Sequence, residues 1–270
     1  MDSNYWTNCW SDVTFVEEYA RKQDGGYHRH RLSVISHLIP RDLLMRGKRV
    51  FDFGCGDAVM FPTFLEAGAY IEGTDFSPEM IEQARVRLAG KCDDSASIAR
   101  VGTVYDLRQI TDKSFDAVLC LNVLAYLTDD EEATFYREAR RVLKRGGYLI
   151  VTHSNELFDM FTLNWHTVKF IEKYLSNIAV GEMLAHAGSP TAPLYNIREN
   201  PLSYPWKLSR WGFDTLQTEY INWHCAPPYL LGEDKEFSDT LAVPTDERWK
   251  LMFTCSQFGV LARKSPEEKR

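Results

Sequence analysis

The sequence predicts an α/β domain built on a parallel sheet, and three observations carry that expectation. Short β-branched or apolar runs alternate with helical patterns from Lys48 to Thr152, the signature of successive βαβ units. The first run enters a glycine-rich turn, Gly54-Cys55-Gly56, that opens a helix. An acidic residue, Asp75, closes the second.

The predicted strands are Arg49–Phe53, Tyr70–Asp75, Ala99–Val104, Phe115–Asn122 and Tyr148–Thr152. After the second strand, Ser77 is placed as a helix N-cap, Pro78 takes the first helical position and Gly90 stands past the end. Met80, Ala84 and Leu88 recur on one face of that helix. Before the fifth strand, Thr128 and Glu131 have the spacing of a capping box. Acidic residues fill the first turn there, and Arg140, Arg141, Lys144 and Arg145 fill the last before Gly146-Gly147, each sign matching the helix dipole.

Outside this core the chain is less regular. Residues 1–47, with Tyr5, Trp6, Trp10, Tyr27, His28 and His30, are predicted to form a helical N-terminal cap. Residues 48–153 are the ligand-binding core. Residues 154–204 form a substrate-side insertion with a helical stretch over Val168–Tyr174, and residues 205–264 complete the sheet with strands at Glu219–His224 and Gln257–Arg263. Trp165, Tyr195, Tyr204, Trp206 and Trp211 supply packing and apolar pocket walls around the insertion. Residues 1–264 are one domain, as 270 residues with 44% hydrophobic content suggest. Residues 265–270 read as a disordered tail.

Composition narrows the function. The chain has 31 basic and 38 acidic residues, a net charge of −7, so the electrostatic footprint of a nucleic-acid binder is missing. Six scattered cysteines with no C-x-x-C pair read as reduced thiols rather than metal ligands, and a cytoplasmic location is expected. No apolar run approaches the roughly 20 residues of a membrane span, and Met1–Trp10 lacks the pattern of a secretory signal. Oligomeric state leaves no mark in the sequence.

The densest chemical signal is Val50-Phe51-Asp52-Phe53-Gly54-Cys55-Gly56-Asp57-Ala58. Glycines in such a turn let backbone approach a ligand closely, and adenosine-containing ligands bind where parallel strands end. Asp75 follows about twenty residues on, the distance at which a carboxylate meets a ribose diol. A nicotinamide dinucleotide fingerprint requires a third glycine where Val59 stands. The alternative pattern D-x-G-x-G-x-A fits Asp52 to Ala58 at every position and suits S-adenosylmethionine (SAM), whose ammonium an acidic turn can hold.

This segment resembles motif I of class I SAM-dependent methyltransferases. Gly73-Thr74-Asp75-Phe76-Ser77-Pro78-Glu79-Met80 resembles their ribose-binding segment, and Glu138 to Tyr148 is similar to the helix and turn before their fifth strand. The resemblance covers Lys48 to Thr152. Two positions depart from it: Arg145 replaces the usual proline, and Thr103 replaces an acidic residue that often meets the adenine amino group. Asp106, or the backbone at Val104 and Tyr105, is left for that role. The resemblance implies a Rossmann-like, seven-stranded, mostly parallel sheet with an antiparallel last strand. It implies SAM as cofactor, held by Tyr27, Arg31, Asp52, Gly54, Cys55, Gly56, Asp75, Phe76, Met80, Val104, Tyr105, Asp106 and Leu121, with no metal.

For catalysis, His153 at the end of the fifth strand is the candidate base, because a histidine needs least pKa tuning to accept a proton near neutrality. Asn122 at the end of the fourth strand is the candidate to orient an acceptor. The expected reaction moves a methyl group from SAM to a hydroxyl or amine of a small, sugar-like or specialised metabolite. Two other readings share the motif: a nicotinamide-dependent oxidoreductase, and a non-catalytic SAM-fold binding subunit.

Overall fold

The computed structural model describes residues 8–22, 25–91, 98–161, 199–223 and 240–266. Predicted features at Val168–Tyr174, Trp165 and Tyr195, and most of the predicted tail, lie outside the described residues.

Seven strands form one sheet in the order β3-β2-β1-β4-β5-β7-β6. They are β1 Arg49–Phe53, β2 Tyr70–Asp75, β3 Ala99–Val101, β4 Phe115–Leu121, β5 Leu143–Ser154, β6 Phe213–Trp223 and β7 Cys255–Lys264. β1 to β5 pair in parallel, whereas β7 inserts antiparallel between β5 and β6. Strand order reverses between β1 and β4, which opens a crevice at their carboxyl ends. This is a Rossmann-like fold, with the antiparallel last strand that the resemblance implied.

The first two strands keep their predicted limits, because an apolar run ends in a turn signal at each. The limits of the later strands shift, and two of the shifted boundaries have local reasons. β3 stops at Val101, since Thr103 and Asp106 form a reciprocal capping box that starts a 3-10 turn over Val104–Gln109. The helix before β5, here α5 (Asp129–Val142), stops short of Lys144, because Leu143 is extended and already pairs with Phe115 of β4.

The other described helices are α1 Val13–Lys22, α2 Gly26–Leu38, α3 Phe61–Glu66, α4 Pro78–Leu88, α6 Glu156–Phe161, α7 Tyr204–Arg210 and α8 Leu251–Thr254. Ser77 caps α4 by accepting the Met80 N–H at 3.0 Å, and Thr128 caps α5 with Glu131 reaching back to the Thr128 N–H at 2.9 Å. Each such cap contributes about 1 kcal/mol.

Alternation along the strands divides the interior into two layers. Ile150 of β5 packs with Val34, Ile35 and Leu38 of α2 and with Phe61, Phe64 and Leu119. Its neighbours Leu149 and Val151 face the opposite layer of Phe51, Val118, Phe135, Tyr136 and Phe258. Burial of each large apolar side chain contributes about 1.5–3 kcal/mol, so the parity of every strand is strongly determined. That parity decides which residues reach the crevice.

The N-terminal helices lie over it. The Ser77 hydroxyl donates to the Trp10 carbonyl at 2.5 Å, and Trp10 makes edge contacts with Phe15 and Tyr19. On the far side His30 Nδ1 lies 3.0 Å from Asn222 Oδ1 in β6, tying α2 to the sheet.

Candidate functional site

The strand ends and the N-terminal helices enclose a cavity of about 810 Å³, within the size range of small-molecule sites. Its floor is the glycine turn after β1. Gly54, Gly56 and Ala58 all have positive φ, at 70°, 54° and 56°, and the Gly54 and Cys55 amides both donate to the Thr74 carbonyl, at 2.8 and 3.0 Å. A Cβ at Gly54 would stand 2.2 Å from Val123 Cγ2, and one at Gly73 would stand 2.4 Å from the Asp52 carbonyl oxygen. Glycine is therefore required at Gly54 for both conformation and space, and at Gly73 for space.

Two carboxylates close this floor. Asp75 Oδ2 accepts the Gly56 N–H and Oδ1 accepts the Ser77 N–H, each at 2.9 Å. Burial raises its pKa above the ordinary value against the pull of those amides. Asp52 is buried, and its Oδ1 has no hydrogen-bond partner among the described residues. Burial first, and the Asp75 charge second, push its carboxyl up to about 8. Thr74 Oγ1, in the same wall, is likewise buried without a partner. Asp57 is different, because it pairs with Arg87 of α4.

The turn and its surroundings bring together Arg31, Asp52, Gly54, Cys55, Gly56, Asp75, Phe76, Met80, Val104, Leu121 and Asn122 around the one cavity. Met80 packs under the turn, with its Cε 3.0 Å from where a Gly56 Cβ would lie. Cys55 is buried, and burial beside the Asp52 and Asp75 carboxylates holds its thiol far above the ordinary range, so it is no nucleophile. Tyr27 belongs to α2, and its side chain lies outside the described residues.

Asn122 has a left-handed φ of 61°, and a hydroxyl fixes its amide. Thr152 Oγ1 accepts the Asn122 N–H and donates to Asn122 Oδ1, both at 2.9 Å. The hydroxyl proton is thereby committed to Oδ1. The Asn122 Nδ2 group keeps its donors, since it has no partner among the described residues.

Three predicted site residues fall outside the cavity lining. His153 follows Thr152 on β5, so its side chain points to the opposite face of the sheet. There its Nε2 lies 2.6 Å from the Tyr204 hydroxyl and its ring packs against Phe258. Burial and then the Lys207 charge lower its pKa to about 3, so it is a neutral core residue and not a base at this site. Tyr105 is 47% exposed beneath Arg108. Asp106 spends its carboxylate on Thr103, accepting its N–H at 2.7 Å and its hydroxyl at 3.0 Å. Those bonds lower its pKa and hold its Oδ2 at the start of the 3-10 turn, outside the cavity lining.

The cavity is also lined by residues to which the sequence reading assigned no ligand contact: Thr74, Ser154 and Gln257 from the strands, and Trp10 and His28 from the N-terminal segment. Ser154 was within reach of strand parity, standing two positions after Thr152. The others depend on pairings between distant segments. Among the described residues no cluster of three or more His, Cys, Asp or Glu is arranged to hold a metal ion.

Comparison with known proteins places this geometry in context. Residues 51–151 match the family described as a methyltransferase domain. A ubiquinone biosynthesis O-methyltransferase of Xanthomonas oryzae is 30% identical over 132 residues, 48% of this chain and 53% of that protein. The chain thus spans about half the length of the curated relatives it matches. Among solved structures, magnesium protoporphyrin IX methyltransferase of Synechocystis with bound SAH has a TM-score of 0.60 at 17% identity, covering 98% of this chain and 100% of that one. A possible histamine N-methyltransferase of Thermotoga maritima has a TM-score of 0.55 at 18% identity, over 94% and 97%. These two likenesses are of fold alone.

Proposed function

We propose that this chain, whose residues 51–151 match the methyltransferase-domain family, is a class I SAM-dependent enzyme that transfers a methyl group from SAM to a hydroxyl of a small, largely apolar acceptor. The observation that carries this reading is the unpaired, buried Asp52 Oδ1 beside Asp75 in the floor of a glycine-lined cavity. A buried carboxyl without a partner costs free energy, and a cationic group of a ligand relieves that cost.

The residues present fit SAM. Asp52 suits the ammonium group. Each Asp75 oxygen accepts one backbone N–H and keeps a lone pair for a ribose hydroxyl. Phe76 and Val104 offer apolar surface for the adenine, and the Arg31 guanidinium suits the carboxylate. When bound, SAM supplies an electrophilic methyl group on a positively charged sulfur.

The chain's own contribution is alignment and the exclusion of water. The cavity is roofed by Trp10, Tyr19 and His28 of the N-terminal segment and walled by Leu32 and Ile35 of α2. Such enclosure fixes the approach of two reactants and removes competing water. With His153 turned away, no base stands at the end of β5 among the described residues. Asn122, held by Thr152, presents donors to orient the acceptor. An oxygen acceptor is favoured because the relatives matched in sequence are named as O-methyltransferases.

The test is transfer of a labelled methyl group from SAM to a pool of small hydroxyl and amine compounds. The expected product is a methyl ether, made by the wild type and lost in Asp75→Ala. Label appearing only on amines would overturn the choice of oxygen. Label appearing on nothing, in a folded protein that binds SAH, would point to a non-catalytic binding subunit.

A further inference from the structure

The cavity has a polar corner far from the glycine turn. In the sheet order, Gln257 of β7 stands four strand positions from Asp75 of β2, roughly 19 Å at the usual strand spacing. Gln257 pairs with Ser154 at the carboxyl end of β5 and with Ile221 of β6, and both Gln257 and Ser154 line the cavity. Gln257 Oε1 is buried and has no hydrogen-bond partner among the described residues. An amide oxygen can only accept, so whatever satisfies it must bring an N–H or O–H.

We infer that Gln257 is an acceptor-binding residue whose Oε1 takes the hydrogen bond of a hydroxyl on the methyl acceptor, anchoring it at the β5–β7 corner. This rests on the methyl-transfer reading above. The corner favours a neutral hydroxyl over a protonated amine, because Gln257, Ser154 and Asn122 carry no charge. Of the carboxylates in the lining, Asp57 is paired with Arg87, Glu131 caps the start of α5 through Oε2, and Asp52 and Asp75 belong to the distant floor. Leu32 and Ile35 supply apolar wall for the rest of the molecule.

Two variants test the inference. Gln257→Leu keeps the side-chain bulk and removes the oxygen, whereas Gln257→Glu keeps an acceptor oxygen. The probes are 1-naphthol, 4-nonylphenol and 1-naphthylmethylamine, which is protonated near neutral pH, with labelled SAM, together with SAH titration and thermal melting. The wild type is expected to methylate a phenol. Gln257→Leu should lower kcat/KM for it by about tenfold, mainly through KM, while the Kd for SAH changes by less than about twofold. Gln257→Leu should also melt higher than the wild type, because an unsatisfied buried oxygen is gone, and Gln257→Glu should retain more phenol turnover than Gln257→Leu. Unchanged kcat/KM in Gln257→Leu, a lower melting temperature with unchanged turnover, or transfer to 1-naphthylmethylamine alone would overturn the role of Gln257. Failure of the wild type to bind SAH would instead bring down the methyl-transfer reading itself.

Discussion

Asp75 and Gly56 are joined by a hydrogen bond of 2.9 Å, from the glycine amide to the carboxylate Oδ2, that ties the turn after β1 to the end of β2. The same carboxylate holds the start of α4 through Ser77. One buried side chain thus organises three pieces of backbone at the cavity floor. Asp75→Ala should cost about 1–3 kcal/mol of stability and weaken SAH binding about tenfold or more. Urea unfolding and calorimetry on the same preparation separate the two effects.

Gly73 is the tightest backbone approach at the floor, with space for a hydrogen but not for a carbon beside the Asp52 carbonyl oxygen. Gly73→Ala should destabilise the protein by about 1–3 kcal/mol, the usual cost of overpacking, and should weaken SAH binding by displacing Asp52. A variant with the wild-type unfolding midpoint and SAH affinity would show that β1 and β2 have room to separate.

His153 belongs to stability rather than chemistry. Its folded pKa of about 3 lies below the ordinary histidine value of 6.5, so the folded state binds its proton less readily than the unfolded chain. Stability from this residue is complete above pH 6.5 and is lost as pH falls from there toward 3, by about 1.4 kcal/mol per pH unit. His153→Gln should flatten that part of the stability profile, measured by urea unfolding across the range. It should leave SAH affinity unchanged.

Asp52 has the opposite sign. Its folded pKa of about 8 exceeds the ordinary aspartate value of 3.8, so its effect on stability is neutral below pH 3.8 and becomes unfavourable as pH rises toward 8. Asp52→Asn should therefore be more stable than the wild type at pH 8. A cationic ligand beside Asp52 lowers its pKa, so SAM binding near pH 7 should release up to about one proton. Calorimetry in buffers of different ionisation enthalpy measures that release, which Asp52→Asn should abolish.

The parts of the site legible in the sequence are those set by local rules. Ser77, Thr128 and Gly90 act within a few residues of their own positions, and a cap or a left-handed glycine is recognisable there. Gly54, Gly56 and Asp75 were legible because the turn and the strand end that it meets are close in sequence. His153 was misplaced for a physical reason: on a strand, a shift of one residue moves a side chain to the other face. Parity at β5 is set by Ile150 and Val151 packing into opposite layers, and this was the missing step. Asp106 lies outside the cavity lining because its bonds to Thr103 turn the chain into a 3-10 helix right after β3. Gln257 reaches the cavity only through antiparallel pairing with Ser154, about a hundred residues away, and no local pattern announces such a pairing.

The glycine turn alone is compatible with two adenosine cofactors, so the most direct measurement is a pair of calorimetric titrations of the wild-type chain, one with SAH and one with NADH. The expected result is one equivalent of SAH bound, with no heat from NADH. Saturable NADH binding, or no SAH binding by a chain that melts cooperatively, would contradict the assignment of the cavity to SAM.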